Sequence, residues 1–246
     1  MGEKRIAIVT GAANGIGKAI ASRLVADGFL VIAADIDAQG GKKLMRQFGR
    51  DKLVFAKADI TQEKTAAALF KKVMDEHHRL DALVNNAGII RDNVIWKMTL
   101  EDFDAVMNVN LRATWLMCRE AAKIMKEQKQ GRIVNIASRA WLGNPGQSNY
   151  SASKAGVVAL TRVLALELGR YNVLVNTVAP GLIDTPLTQK LEKNILQKLI
   201  EAQPTKTMGR PEDVAQAVAF LVAEQNQFIT GQTIYVDGGK SIGAGI

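Results

Sequence analysis

The 246-residue chain, 48% hydrophobic, has the length and apolar content for one undivided α/β unit with a large core, and its single cysteine, Cys118, excludes an internal disulfide and points to a reducing compartment. Its apolar runs are short and interrupted, which excludes a membrane-spanning helix, and the opening residues run straight into a strand with no room for a leader, so the cytoplasm is the expected location. The net charge of +8 suits an anionic partner, but Lys and Arg are scattered with no basic run of five, which argues against nucleic acid and leaves a nucleotide cofactor, a phosphorylated substrate or an acidic carrier protein.

Taken in order, Arg5–Thr10 is a short run rich in β-branched residues and predicts a strand, and Ile16–Asp27 follows with helical spacing through Ile20, Leu24 and Val25. Leu30–Asp35 predicts the second strand, Gly40–Phe48 a modest helix, Leu53–Lys57 the third strand, and Gln62–His77 a helix. Asp81–Asn85 is the fourth strand. A long helix over Leu100–Lys126 follows, capped by Thr99 with Asp102 three residues on. Gly131–Ile136 is the fifth strand, Tyr150–Arg170 a helix and Val173–Ala179 the sixth strand. Within Asp184–Gln203, Leu187, Leu191, Ile195 and Leu199 recur about every four residues and predict a helical segment. Pro211 opens another helix at a favoured first position, and Thr233–Val236 is the last strand. Strands that read as continuous apolar runs are buried on both faces, and helical crossovers force parallel pairing. The expected fold is a doubly wound parallel sheet with helices on both faces, one unit over 1–246 without linker, repeat or low-complexity segment.

Thr10–Gly17 reads TGAANGIG, between a strand and a helix, with glycines at 11, 15 and 17. Such a turn lets the backbone approach a pyrophosphate, and the following helix N-terminus favours negative charge. Asp35 ends the second strand, where a carboxylate accepts hydrogen bonds from ribose hydroxyls and repels a 2′-phosphate. Neither Asn14 nor positions 36–39 supply a Lys or Arg to neutralise that phosphate, so NAD(H) is expected over NADP(H); Asp37 is the other carboxylate able to face the ribose.

Ser138–Lys154 reads SRAWLGNPGQSNYSASK. Tyr150 and Lys154, four apart, share one face if the segment is helical. A Lys ammonium there favours the phenolate and is expected to lower the Tyr150 pKa, allowing proton exchange with a substrate oxygen near neutral pH. Ser138 follows a strand, where its hydroxyl can bond the same oxygen. The set suits protonation of a carbonyl or deprotonation of an alcohol, and it includes no metal ligands. Trp141, close behind Ser138, either narrows the pocket, stacks on a flat substrate, or packs.

Together these residues resemble the short-chain dehydrogenase/reductase family along essentially the whole chain. TGAANGIG matches its cofactor turn (Gly11, Asn14, Gly15, Ile16, Gly17), Asp35 with Ile36 its adenosine position, and Asp59 with Ile60 its adenine contact. Asn85-Asn86-Ala87-Gly88 matches its NNAG motif, and Pro180-Gly181 with Ile183 and Thr185 the segment that holds the carboxamide. Asn110, Ser138, Tyr150 and Lys154 match the four catalytic residues, with Asn110 in a water-linked proton relay and Lys154, like Tyr150, at the nicotinamide ribose. The resemblance implies strand order 3-2-1-4-5-6-7, a cofactor half over about 1–130, a catalytic and substrate half over about 131–246, a substrate lid near 184–205, and a homotetramer.

Within the family, NNAGIIRDN at 85–93 and GQSNY at 146–150 are most similar to bacterial 3-oxoacyl-(acyl-carrier-protein) reductases, which implies a 3-oxoacyl thioester of carrier protein or coenzyme A as substrate. Those enzymes generally carry a basic residue at the glycine turn, where Asn14 stands. Lys129, Arg132 and Arg170 are the cations offered to an acidic carrier protein, or else a solvated rim. The alternatives are an NAD-dependent secondary-alcohol, hydroxyacyl-CoA or sugar dehydrogenase, and, more remotely, a non-catalytic nucleotide-sensing relative.

Overall fold

Seven strands, β1 (Ile6–Thr10), β2 (Leu30–Asp35), β3 (Leu53–Lys57), β4 (Ala82–Asn85), β5 (Gly131–Ile136), β6 (Val173–Pro180) and β7 (Thr233–Val236), pair in parallel in the order β3-β2-β1-β4-β5-β6-β7. The computed structural model describes residues 4–242, so the first three and last four residues of the unit expected over 1–246 lie outside the described residues. Eight α-helices accompany the described strands: α1 (Gly15–Ala26), α2 (Ala38–Phe48), α3 (Glu63–His77), α4 (Leu100–Met107), α5 (Ala113–Gln128), α6 (Ser148–Leu168), α7 (Lys193–Glu201) and α8 (Pro211–Val222).

The strands are mainly apolar because each face of the sheet carries its own core. Ile6 and Ile8 of β1, with Leu30 and Ile32 of β2, point to a core closed by α3, α5 and α6. Their neighbours Ala7, Val9, Val31 and Ala33 point to the opposite core, closed by α1, α2 and α8. The period-two alternation thus divides one apolar run between two helical layers.

The helix expected over Leu100–Lys126 is two α-segments joined by a π-helical turn at Asn108–Arg112, where the Ala113 N–H bonds the Asn108 carbonyl five residues back. Its start is as expected: the Thr99 hydroxyl accepts the Asp102 N–H at 3.1 Å. The helix expected within Asp184–Gln203 shrinks to α7, preceded by a 3₁₀ turn at Thr188–Lys190. Its stripe finds no core: Leu187, Leu191, Ile195 and Leu199 are 39–57% exposed. Helical spacing persisted there without a surface to bury against, and packing supplies most helix stability.

Arg132 differs from its expected place on a charged rim. It is buried at the start of β5, donating to the carbonyls of Gly131 (2.9 Å), Asn172 (3.2 Å) and Asn226 (2.8 Å). Burial pushes its pKa down, against the Glu224 carboxylate. Lys129 and Arg170 sit beside it, ahead of β5 and β6, at the amino ends of the strands. No helix among the described residues is long and apolar enough to cross a membrane.

Candidate active site

The order of the strands places a switch point between β1 and β4, whose connections leave toward opposite edges, and open α/β sheets bind ligands in that crevice at the carboxyl ends. Here the two ends are locked together. The Thr10 hydroxyl accepts the N–H groups of Asn86 (3.0 Å) and Ala87 (3.1 Å), while Asn86 Nδ2 donates to the Thr10 and Gly11 carbonyls, each at 3.1 Å. The approach requires glycine. Gly11 has φ +62°, and a Cβ there would lie 2.8 Å from Ala87 Cα; a Cβ at Gly17 would overlap the Gly11 carbonyl oxygen.

Asn14 precedes α1 without capping it: its amide donates instead to Asp37 Oδ2 at 3.0 Å. The first turn of α1 also carries no acidic side chain, so its N–H groups remain available to an anion. Asp35 accepts the Ala13 N–H on Oδ2 and the Asp37 N–H on Oδ1, both at 2.9 Å, and each oxygen keeps a second acceptor position for a diol. Asp37 is committed elsewhere, capping α2 through the N–H groups of Gln39 (3.1 Å) and Gly40 (3.0 Å). Those bonds, the Gly40 N–H first and the Asn14 amide next, hold its carboxyl below the usual range. Of the two carboxylates open to the ribose in the sequence, Asp35 is the freer.

The Ala58 N–H bonds the Asp35 carbonyl at 3.0 Å, which sets Asp59 and buried Ile60 alongside, while Ile36 is exposed. The Thr61 hydroxyl, at 2.6 Å, is the main group holding the Asp59 carboxyl low. Across the crevice, the Gly181 N–H bonds the Val236 carbonyl at 2.9 Å beyond Pro180, Ile183 is buried, and Thr185 Cγ2 would lie 3.8 Å from a Cβ on Gly15. The segment after β6 therefore arches back over the glycine turn.

Tyr150 and Lys154 lie on consecutive turns of α6, Lys154 Nζ 5.7 Å from the phenol ring centroid. Ser138, just past β5, accepts the Ala140 N–H at 3.1 Å and hydrogen-bonds the Tyr150 phenol. Fully buried Asn110 brackets residue 89, accepting its N–H at 2.8 Å and donating to its carbonyl at 3.0 Å; it also donates to Ser153 Oγ at 3.2 Å. Asn110, Lys154 and Gly88 converge, since a Cβ on Gly88 would lie 3.3 Å from Asn110 Oδ1 and 3.5 Å from Lys154 Nζ. All four side chains expected to act together are thus brought together.

Their electrostatics correct one expectation. The Tyr150 pKa is raised, not lowered: burial pushes it up, the Ser138 hydrogen bond pulls it down, and the Asp92 carboxylate pushes it up again. Lys154 is itself desolvated, its pKa pushed down to about 8, and its Nζ donates to the Ile136 carbonyl at 2.8 Å. Burial thus outweighs the Lys–Tyr attraction on which the sequence expectation rested.

Three other residues at the site escaped the sequence reading. Ser153 links Asn110 to the Tyr150 carbonyl, which its hydroxyl reaches at 2.7 Å; Asn149 is completely buried; Gln147 holds Asp92. Their signal was position alone, within the stretches around Tyr150 and after Gly88. Trp141 is half-buried and packs against the small cluster of Ala137, Val157, Val158 and Ala179.

A dinucleotide fits these residues: an uncapped helix N-terminus behind a glycine turn, a carboxylate with spare acceptor positions at the end of β2, and a proton-bearing pair past β5. A family model described as enoyl-(acyl carrier protein) reductase matches residues 11–241. The chain is 44% identical to a (2S)-[(R)-hydroxy(phenyl)methyl]succinyl-CoA dehydrogenase subunit, BbsD, of Thauera aromatica, over 99% of both chains. It is 40% identical to the 3-oxoacyl-[acyl-carrier-protein] reductase FabG of Thermotoga maritima, over 98% of this chain and 99% of that one. The crystal structure of gox2181 superposes with a TM-score of 0.93 at 33% identity, covering 98% of this chain and 96% of that one. The chain therefore belongs to the short-chain dehydrogenase/reductase family, oxidoreductases that use a nicotinamide cofactor.

Proposed function

We propose that the chain is an NAD(H)-dependent reductase of 3-oxoacyl thioesters, and the observation that carries this is the meeting of Ser138, Tyr150, Lys154 and Asn110 at the carboxyl ends of β4 and β5. Bound nicotinamide supplies the hydride to the carbonyl carbon, or accepts it in the reverse direction. Tyr150 gives its phenolic proton to the carbonyl oxygen, and Ser138 donates a hydrogen bond to the same oxygen. Lys154, with a pKa near 8, holds a proton it can pass on at neutral pH, and Asn110 steadies the adjoining backbone. A buried, raised phenol suits the acid's role in reduction.

The same reading assigns Gly11, Asn14, Gly15, Ile16, Gly17, Asp35, Ile36, Asp59, Ile60, Asn86, Ala87, Gly88, Pro180, Gly181, Ile183 and Thr185 to the cofactor. NAD(H) is favoured over NADP(H) because Asp35 keeps acceptors free while Asp37 stands behind it as a second negative charge. One folding unit, with a cofactor half to about residue 130 and a substrate half beyond it, carries a lid near 184–205 whose exposed apolar stripe suits an acyl chain. A homotetramer is supported by exposed Trp115, Val163 and Leu166 and a groove of about 620 Å³ along α4, the π turn and α6. A cytoplasmic location accords with the single reduced cysteine.

Carrier protein remains a partner of this reading, although within one chain Lys129, Arg132 and Arg170 lie at the opposite end of the sheet from Ser138 and Arg132 is buried. That placement, with the Thauera relative named for a CoA thioester, favours coenzyme A thioesters as the second reading, with alcohol oxidation as the direction. The test is nicotinamide absorbance with acetoacetyl thioesters of coenzyme A and of carrier protein, NADH and NADPH in parallel. Fast NADH oxidation supports the proposal and the faster thioester names the carrier. Fast NADPH oxidation overturns the cofactor assignment, and no turnover in protein that binds NADH overturns the substrate assignment.

A further inference from the structure

A cavity of about 470 Å³ lies between the segment that follows α7 and the turn that follows β7, and none of Asn110, Ser138, Tyr150 and Lys154 lines it. Its two walls touch: a Cβ on Gly238 would lie 2.6 Å from Thr205 Oγ1, and one on Gly239 3.5 Å from Pro204 Cγ. Gln203 lines one wall at 6% exposure. Its Nε2 donates to the Leu199 carbonyl at 2.8 Å, which fixes the amide and leaves Oε1 as the free atom; that oxygen is buried and has no partner among the described residues. Asp237 lines the other wall at 8% exposure. Its Oδ1 accepts the Gly239 N–H at 3.0 Å and its Oδ2 the Ser241 N–H at 2.8 Å, so each oxygen keeps a further acceptor position. No Lys or Arg pairs with this carboxylate among the described residues.

Buried acceptors are hydrogen-bonded and buried charges are paired, because either costs free energy when left alone. The cavity's other carboxylate is already answered: Asp213 accepts the Arg210 N–H at 2.7 Å and the Arg210 guanidinium at 3.3 Å. No Lys, Arg or His is among the described residues that line the cavity, and neighbouring Lys206 donates to the Glu201 carbonyl at 2.6 Å. Water satisfies Gln203 but brings Asp237 no counter-charge. A bare metal ion brings the charge but makes no use of the apolar wall of Leu182, Met208, Tyr235 and Val236. A guanidinium group meets all three demands. It is planar and weakly hydrated, forks onto a carboxylate, has donors left for a second acceptor, and stacks on aromatic surface.

We propose that this cavity binds a small organic cation of the guanidinium class, held by the Asp237 carboxylate and Gln203 Oε1 and bridging the two segments that form its walls. No residue of the site belongs to the catalytic group or to the cofactor assignment above, so the proposal stands whether or not the chain reduces thioesters. The bond to Asp237 is charge-assisted, so affinity rests mainly on that carboxylate. Thr207 lines the same cavity, so Thr207→Arg carries a guanidinium into it from the wall.

The test is thermal unfolding of the full chain in millimolar methylguanidinium chloride, with tetramethylammonium chloride and sodium chloride at the same ionic strength beside it. Methylguanidinium should raise the midpoint by about 3–6 °C at ten times its dissociation constant. Tetramethylammonium carries the charge without an N–H donor and, like sodium, should move the midpoint by less than about one degree. Asp237→Asn keeps the side-chain acceptor for Gly239 and removes the charge, and should weaken methylguanidinium at least about tenfold; Gln203→Leu should weaken it by less. Thr207→Arg should raise the midpoint by itself and abolish the response to methylguanidinium. An equal response to all three salts, or a methylguanidinium shift that survives both Asp237→Asn and Thr207→Arg, would overturn the site. A flat response in the wild type would overturn it in favour of a cavity filled by water alone. Should Asp237→Asn fail to fold, Gln203→Leu and Thr207→Arg decide the matter in the same assay.

Discussion

Lys154 Nζ donates a 2.8 Å hydrogen bond to the carbonyl of Ile136, tying the buried ammonium of α6 to the strand end that presents Ser138. Burial holds the folded-state pKa near 8 against the 10.5 of a solvated lysine. Between those two values the unfolded chain binds a proton that the folded chain has released, so this lysine makes the fold more stable as pH rises through the window. Below about 8 both states are protonated and the cost of the buried charge is borne in full. Denaturant unfolding at about pH 7.5 and 10.5 should show the wild type gaining on Lys154→Met by roughly 3 kcal/mol. A constant difference between the two proteins would mean that the ammonium is better solvated than its burial indicates.

Tyr150→Phe removes the proton donor while keeping the ring that lies against Lys154. Turnover should fall by at least about 10²–10⁴-fold, the usual worth of a positioned acid, while NADH binding followed by fluorescence stays within about twofold. Retained turnover would transfer the proton to another group.

Asp35 and Asp37 separate by their partners. Asp35→Ala should raise NADPH use relative to NADH by tenfold or so, a difference of ~1.4 kcal/mol. Asp37→Ala removes the α2 cap as well as a charge, and should lower the thermal midpoint whichever cofactor is present. If the cofactor ratio moves in Asp37→Ala and not in Asp35→Ala, the roles assigned to the two carboxylates are reversed.

Gly17→Ala places a methyl group on the Gly11 carbonyl oxygen and within 2.5 Å of Asn86 Nδ2. Overpacking of this kind costs about 1–3 kcal/mol, and here it also wedges apart the ends of β1 and β4. Both thermal midpoint and dinucleotide affinity should drop. Gly28→Ala, where a Cβ meets nothing within 4 Å but φ is +86°, separates the effects by losing stability alone.

The strands were legible because their composition has one cause. A run such as Leu30–Ala34 serves two cores at once, and nothing but a doubly covered strand needs apolar residues at every position. The glycine turn, Asp35 and the Tyr150–Lys154 pair were legible because their spacing is itself the chemistry. Where the sequence misled, the deciding contact came from far along the chain. Arg132 reads as a surface cation until the carbonyls of Asn172 and Asn226 close over it. The direction of the Tyr150 shift depends on how much water the fold excludes, which four-residue spacing does not report. Leu187 to Leu199 keep a helical rhythm with no core beneath them, so rhythm alone overstated the helix.

The π turn at Asn108–Arg112 has a consequence for how the chain can vary. One additional residue in a turn rotates everything after it by about 100° relative to a regular helix. The inward aim of Asn110 and the burial of Met117, Ala121 and Met125 on α5 thus share a single angular phase. Closing the turn into a regular helix without losing a residue would swing the α5 stripe out of the core, whereas closing it with the loss of one residue would leave α5 in phase and alter only the turn that aims Asn110. A one-residue change in length is thereby absorbed by the helix, and its cost falls on the site.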